Sequence, residues 1–400
     1  MEARPLGVGI IGAGNIIKRH ATAYRALRDQ ARLVAVADIA LNRAEKAKEL
    51  YGFEQAYDDY RPLLARDDIE VVSVCTPANF HAPVVIDCLR AGKHVLCEKP
   101  MATTLAEADA IVAAADQHAK SKVSFVFQLR SDPSHRRVRR MIEAGHVGRI
   151  LMAKVCVWLR KEKAYYTNVP GRGSWKNDGG GVLVNQAIHQ TDALISFLGE
   201  PVEVSAVMDT FVQPIEAEDS ITGWARFASG AIATIDCTVC AHRKQFTIDV
   251  LGENAAMRVG GDPDGKAFEF RIDARGSAAR KALHALAYKE VPAPPRDPNK
   301  LLMSLQKLVS KSKRKAWAPP AHWGHAPYVR EFLEAVRNGT EAPVPPREAR
   351  RSLELVAALY ESALTKEIVA LPLDETSRLY HGVRNIKEQS APKHAEPALV

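Results

Sequence analysis

Four hundred residues exceed what a single ordinary core organises, so two domains with extensions are expected. With 46% hydrophobic and 26% charged residues the chain is neither disordered nor fibrous, and no apolar run approaches the ~20 residues that span a membrane. The net charge of +8 is concentrated at 130–163 and 296–315, but neither stretch carries the zinc-ligand, aromatic-platform or helix-turn-helix signals of a nucleic-acid binder, which leaves a solvated basic face or an anionic ligand.

Residues 7–11 read as a short buried strand rather than as a secretory leader, which predicts a cytoplasmic protein. Gly12-Ala-Gly14 ends that strand, and a helix from about Ile16 to Leu27 follows. The pattern then gives a strand over Leu33–Asp38, a charged helix over Asn42–Tyr51 and a strand over Val71–Thr76, stopped by Pro77. A helix over Ala82–Ala91 stops at Gly92, and is followed by a strand over His94–Cys97, a helix over Leu105–His118 and a strand over Val123–Phe127. Strands alternating with helices predict a parallel sheet covered on both faces, an α/β dinucleotide-binding domain of the Rossmann type.

The second half reads differently. Helices are expected at Arg137–Ala144 and Val182–Leu198, then strands at 203–212, 221–227, 231–239 and 245–251, with Ser229-Gly230 as a tight turn. This predicts an α+β domain with a large, mostly antiparallel open-faced sheet. The stretch from Gly260 to His322 is rich in Pro, Gly and Lys, and offers only a short basic helix at Leu301–Leu308. Two helices, Ala326–Arg337 and Arg347–Leu364, precede a tail that reads as loosely held from about Thr376. The expected units are 1–130, 131–372 and 373–400. Six scattered cysteines suit buried free thiols, and Cys237-x-x-Cys240 lacks a second ligand pair, so no metal is expected.

Three constellations carry chemistry. In Gly12-Ala-Gly14-Asn15-Ile16-Ile17 the first glycine permits a tight turn, and the second lets a pyrophosphate approach the helix N-terminus; Ile17 stands where a third glycine is usual. Asp38 ends the next strand, where an acid binds the adenosine ribose hydroxyls and repels a 2′-phosphate, so NAD is favoured and NADP kept as the alternative. Glu98 and Lys99 follow a buried strand immediately, at the sheet end where such folds bind ligands; on position alone Lys99 is equally a solvated loop residue. From Gly179 to Asp192 the chain reads Gly-Gly-Gly-Val-Leu-Val-Asn-Gln-Ala-Ile-His-Gln-Thr-Asp. On a helix Asn185, His189, Asp192 and Ser196 share one stripe with no long charged side chain, so the stripe faces either a cleft or the core.

Taken together, Gly12-Ala-Gly14, Cys75-Thr-Pro77 with Asn79 and His81, Ala91 to Pro100 ending in Glu98-Lys99-Pro100, and the triple glycine leading to His189 and Asp192 resemble the glucose–fructose oxidoreductase/inositol dehydrogenase family (Gfo/Idh/MocA) over roughly Leu6 to Leu371. The resemblance implies an NAD(P)-dependent oxidoreductase acting on a secondary alcohol or ketone carbon of a sugar, sugar derivative or cyclitol, working as a homodimer or homotetramer. It implies that Lys99 and His189 are catalytic and face the nicotinamide, and that Thr76, Pro77, Asn79, His81 and Glu98 line the cofactor cleft. Tyr165, Tyr166, Arg172 and Trp175 become the substrate wall, with Asn185, Asp192 and His325 reaching the same pocket. Asn185 replaces an Asp common in the family, which implies a weaker base at His189. Arg130 and Arg172 keep an anionic substrate open. Glycoside cleavage through transient oxidation shares these motifs, whereas a non-catalytic dinucleotide sensor or scaffold is expected to lack the lysine or the histidine, and this chain keeps both.

Overall fold

The computed structural model describes residues 4–261, 269–291 and 325–383; the basic helix expected at 301–308 and the tail beyond 383 lie outside them. Strands β1 (Leu6–Ile11), β2 (Ala31–Ala37), β3 (Gln55–Tyr57), β4 (Val71–Val74), β5 (His94–Cys97) and β6 (Val123–Phe125) form one parallel sheet in the order β3-β2-β1-β4-β5-β6. Its strands are apolar because both faces are covered: all four residues of β4 are buried. Helices α1 (Ile17–Ala26), α2 (Leu41–Tyr51), α3 (Arg61–Leu64), α4 (His81–Arg90) and α5 (Leu105–Gln117) supply the cover. Ile17, at the position of the usual third glycine, is buried in the core. The two faces of this fold diverge between β1 and β4, where the strand order reverses and where a ligand crevice is expected.

After α6 (Pro133–Glu143), strand β7 (Ile150–Arg160) enters a second, eight-stranded sheet. Short helices α7 (Lys163–Thr167) and α8 (Trp175–Asp178) lead to a π-helical turn at Leu183–Ala187 and to α9 (Ile188–Leu198). Then come β8 (Pro201–Asp209), β9 (Ser220–Phe227), β10 (Ile232–Thr238), β11 (Cys240–Gly252), β12 (Ala255–Gly261) and β13 (Glu269–Ala274). The order is β13-β12-β11-β7-β10-β9-β8-β14, with β14 at Val369–Ala370, and every pairing is antiparallel except β7 with β10. Inward residues meet across the strands, as Ala233 opposite Ala225 and Ile235 opposite Val155. The outer face stays open and carries exposed Met152, Val207 and Leu251.

Helices α10 (Ser277–Glu290), α11 (Ala326–Asn338) and α12 (Pro346–Thr365) complete the described chain. α10 and β13 lie in the stretch whose sequence offered almost no pattern. α11 packs on α1, and α12 packs on α5 of the first layer as well as on α9 and β8 of the second, so it ties the two sheets together. Arg350 of α12 pairs with Asp109, which also accepts from the Tyr380 hydroxyl at 2.7 Å. The tail expected to be loose from Thr376 is therefore packed as far as it is described, with Leu379 and Val383 buried. All six cysteines are free, and five are buried. Among the described residues no helix is long and apolar enough to cross a membrane.

Candidate active site

The first glycine turn is built by exclusion. Gly12 has φ +100°, and a Cβ there would lie 2.6 Å from the Cys75 carbonyl oxygen. Gly14 faces open space, with nothing within 4 Å of where its Cβ would sit. Asn15 is exposed and Ile16 half-buried at the start of α1. The Asp38 carboxylate accepts from the Ala13 amide at 2.8 Å and the Ala40 amide at 2.9 Å, so it braces the turn while each oxygen keeps a further lone pair. At the carboxyl end of β4, Thr76 Oγ1 and Asn79 Oδ1 are buried without a hydrogen-bond partner. Orphaned buried polar atoms are rare, and here they flank an open glycine turn at a helix N-terminus. The residues fit a dinucleotide.

His81, expected to line this cleft, does not open onto it. It is buried, with Nδ1 2.7 Å from the Pro100 carbonyl and Nε2 3.0 Å from the Thr76 carbonyl, so it clamps two loops together. Glu98 is also buried. Its Oε1 meets His20 Nε2 at 2.9 Å and His325 Nε2 at 3.5 Å, and His20 Nδ1 lies 3.2 Å from Ser73 Oγ. Burial works to raise the Glu98 pKa, but the hydrogen bonds and charges of His20 and His325 hold the carboxyl well below the usual range. Burial likewise opposes protonation of His20, yet Cys75 and Glu98 push it up to about 10. Among the described residues this trio is the one group spaced to hold a cation, and its contacts read as a hydrogen-bonded chain beneath Lys99. His325 thus stands behind the loop, although its Nδ1 is buried and unpartnered.

Lys99 leaves the end of β5 and crosses to the other half, where its Nζ donates to the Asn185 carbonyl at 2.7 Å. Asn185 lies in the π-helical turn, a distortion common at functional sites, and its Nδ2 donates to the Gly180 carbonyl at 3.2 Å. Glu218 holds the start of this turn: its carboxylate accepts from the Gly181 and Leu183 amides and from the Tyr360 hydroxyl, and burial pushes its pKa up to about 7. One turn on, His189 is half-buried with its ring edge-on to Phe127. Its Nε2 lies 3.4 Å from Gln128 Nε2, and its Nδ1 has no partner. Burial first, and the Lys99 charge second, push the His189 pKa down to about 3, so the imidazole is neutral at ordinary pH. Burial lowers the Lys99 pKa as well, against the pull of Glu98 and Asp178.

Asp192 does share the helix stripe with His189, but it is not free to meet a ligand. It is wholly buried and gripped by Arg130, Nε to Oδ2 at 2.7 Å and Nη2 to Oδ1 at 2.9 Å, with Ser352 Oγ at 2.9 Å. Arg130 also meets Glu348, so neither partner is available to substrate. Removing one member of such a pair strands the other: Asp192→Ala is expected to destabilise the fold by about 3–5 kcal/mol in denaturant unfolding, and a loss below ~1 kcal/mol would show that the pair does not hold the helix. Tyr166 is packed in the core, and it is Tyr165 whose hydroxyl accepts from Gln186 Nε2 at 3.3 Å. Trp175 packs edge-on against Tyr360, while Arg172 is half-buried beside Tyr165. Gln128, Asp178 and Lys161 join the site unannounced: the sequence marks them only as polar residues near strand or helix ends.

The family model described as an oxidoreductase family with an NAD-binding Rossmann fold matches residues 6–126, and the GFO/IDH/MocA C-terminal domain matches residues 135–258. Levoglucosan dehydrogenase of Pseudarthrobacter phenanthrenivorans is 29% identical over 291 residues, 63% of this chain and 73% of that protein. D-glucoside 3-dehydrogenase of Escherichia coli is 30% identical over 267 residues, 62% and 74% respectively. Among solved structures, the WlbA dehydrogenase of Bordetella pertussis, in complex with NADH and UDP-GlcNAcA, superposes with a TM-score of 0.76 at 28% identity, covering 93% of this chain and all of that one.

Proposed function

Because the chain belongs to the Gfo/Idh/MocA oxidoreductase family, with its NAD-binding Rossmann fold, we propose that it transfers hydride between NAD and a secondary alcohol carbon of a sugar, sugar derivative or cyclitol. The observation that supports this best is the crossing of Lys99 from the end of β5 to the Asn185 carbonyl, at 2.7 Å, in the segment that carries His189. Gly12, Gly14, Asn15 and Ile16 would hold the pyrophosphate, Asp38 the adenosine ribose, and Thr76, Pro77 and Asn79 the nicotinamide end. Bound NAD supplies the hydride acceptor.

The chain's own residues manage the proton and the charge. A substrate hydroxyl between Lys99 and His189 displaces the long Gln128 contact and gives its proton to the neutral imidazole. The Lys99 ammonium, fixed by the Asn185 carbonyl in a half-buried setting, stabilises the developing oxyanion. That same charge disfavours the imidazolium, so the ammonium carries more of the stabilisation and the imidazole acts as a weak base. Asn185 orients the hydroxyl without adding a carboxylate.

The test is a screen for NADH absorbance over cyclitols, free sugars, uronates and nucleotide sugars, with NAD and NADP. Reduced cofactor is expected with at least one class, and faster with NAD, since Asp38 repels a 2′-phosphate. Saturable NAD binding with no turnover across the panel overturns the reading.

A further inference from the structure

Lys161 follows β7 directly and Arg172 lies in the loop between α7 and α8, yet both settle on one aromatic ring. The Lys161 ammonium stands 4.4 Å from the centroid of the Tyr165 ring, and the Arg172 guanidinium carbon 4.3 Å from it. Arg172 is fixed there, because its Nη1 donates to the Tyr165 carbonyl at 2.8 Å. The ring is fixed too: it meets the buried Tyr166 edge-on at 5.0 Å, and its hydroxyl accepts from Gln186, the neighbour of Asn185. This platform therefore abuts the segment that Lys99 grips.

Among the described residues neither Lys161 nor Arg172 has an ion-pair partner within 4 Å, whereas Arg66 has one and Arg130 and Arg350 have two each. Asp178 feels the Arg172 charge, but one of its oxygens is taken by the Gly173 amide at 2.7 Å. Both cations are half-buried. Burial lowers the Lys161 pKa, and the charges of Arg172 and Lys244 lower it further, while Lys161 in turn bears on Lys99. Like charges held together and partly out of water are costly, and stacking on a ring offsets only part of that cost. An anion between them turns the repulsion into attraction, and a guanidinium presents the planar fork that carboxylate and phosphate oxygens match.

Resting on the hydride-transfer reading, we propose that the substrate is an anionic sugar or cyclitol derivative, whose carboxylate or phosphate group is received by Lys161 and Arg172 on the Tyr165 ring while its reacting hydroxyl lies at Lys99 and His189. The test measures initial rates of the full-length enzyme with NAD on pairs in which one member carries an added anionic group: glucose against glucuronate, glucose against glucose 6-phosphate, and UDP-glucose against UDP-glucuronate, whose shared diphosphate is itself anionic. The member with the added anionic group is expected, in at least one pair, to have a kcat/KM about tenfold or more above its partner, with a KM that rises with salt. The pair that responds tells carboxylate from phosphate. Arg172→Gln and Lys161→Gln should each erase about tenfold of that preference, and either variant suffices should the other fail to fold.

Equal turnover of both members of every pair, with a salt-independent KM, overturns this proposal and leaves the dehydrogenase standing. If nothing is turned over although NAD binds, the hydride-transfer reading falls instead. Calorimetric titration of the NADH-loaded enzyme with glucuronate, glucose 6-phosphate and glucose then decides the anion site, and equal or absent binding of all three overturns it.

Discussion

Lys99→Met is expected to lower kcat by about 10²–10⁴-fold while leaving the dissociation constant for NAD nearly unchanged. Methionine keeps much of the side-chain length but has no charge to stabilise an oxyanion and no proton to give the Asn185 carbonyl, which now accepts from Nζ at 2.7 Å. Stopped-flow hydride transfer and calorimetric NAD titration separate the two effects, since a group that acts on the reacting oxygen changes kcat and not cofactor affinity. A second readout is spectroscopic. The Lys99 charge is the second cause, after burial, of the low His189 pKa, so the His189 imidazole should titrate at higher pH in Lys99→Met than in the parent enzyme. Equal loss of NAD affinity, or an unmoved imidazole titration, would mark Lys99 as a bracket between the two sheets.

His189→Ala should cost a comparable factor in kcat, because proton transfer by a positioned side chain contributes about 10²–10⁴-fold. Asn and Gln are poor substitutes, having no basic nitrogen. The same residue makes a separate claim on stability. In the folded protein its pKa lies at about 3, against about 6.5 for an unperturbed imidazole. Between those values the unfolded chain binds a proton that the folded one refuses, so the stability due to a neutral His189 is complete above pH 6.5 and is lost as pH falls toward 3. His189→Ala should therefore flatten the acid side of a plot of melting temperature against pH while it lowers kcat by that factor. An acid limb as steep as that of the parent, with kcat intact, would remove His189 from both roles.

The sequence by itself determined five of the six strands of the first sheet, all but the three-residue edge strand Gln55–Tyr57, and it marked Lys99 and His189 as candidates. Strands such as Val71–Val74 are buried on both faces, which writes a continuous apolar run, and each ends in a turn residue, so position and direction are legible locally. Glu98-Lys99-Pro100 and the triple glycine are equally local. The second sheet was harder. β7 was missed although it is central, because on an open-faced sheet its Leu151 and Met152 point outward beside the exposed Lys154 and blur the alternation that marks a strand. What only the tertiary structure decided is which polar residue meets which. Of the expected stripe, His189 and Asp192 lie one turn apart on α9 while Asn185 sits in the π-helical turn before it, and Arg130, 62 residues from Asp192, grips that carboxylate and leaves His189 beside Lys99. Likewise His81 is spent on two backbone carbonyls, and Tyr165 rather than Tyr166 carries the cations. Residue type and spacing fix where a side chain leaves the backbone, whereas its partner arrives from a distant segment whose approach depends on how both sheets pack against α12.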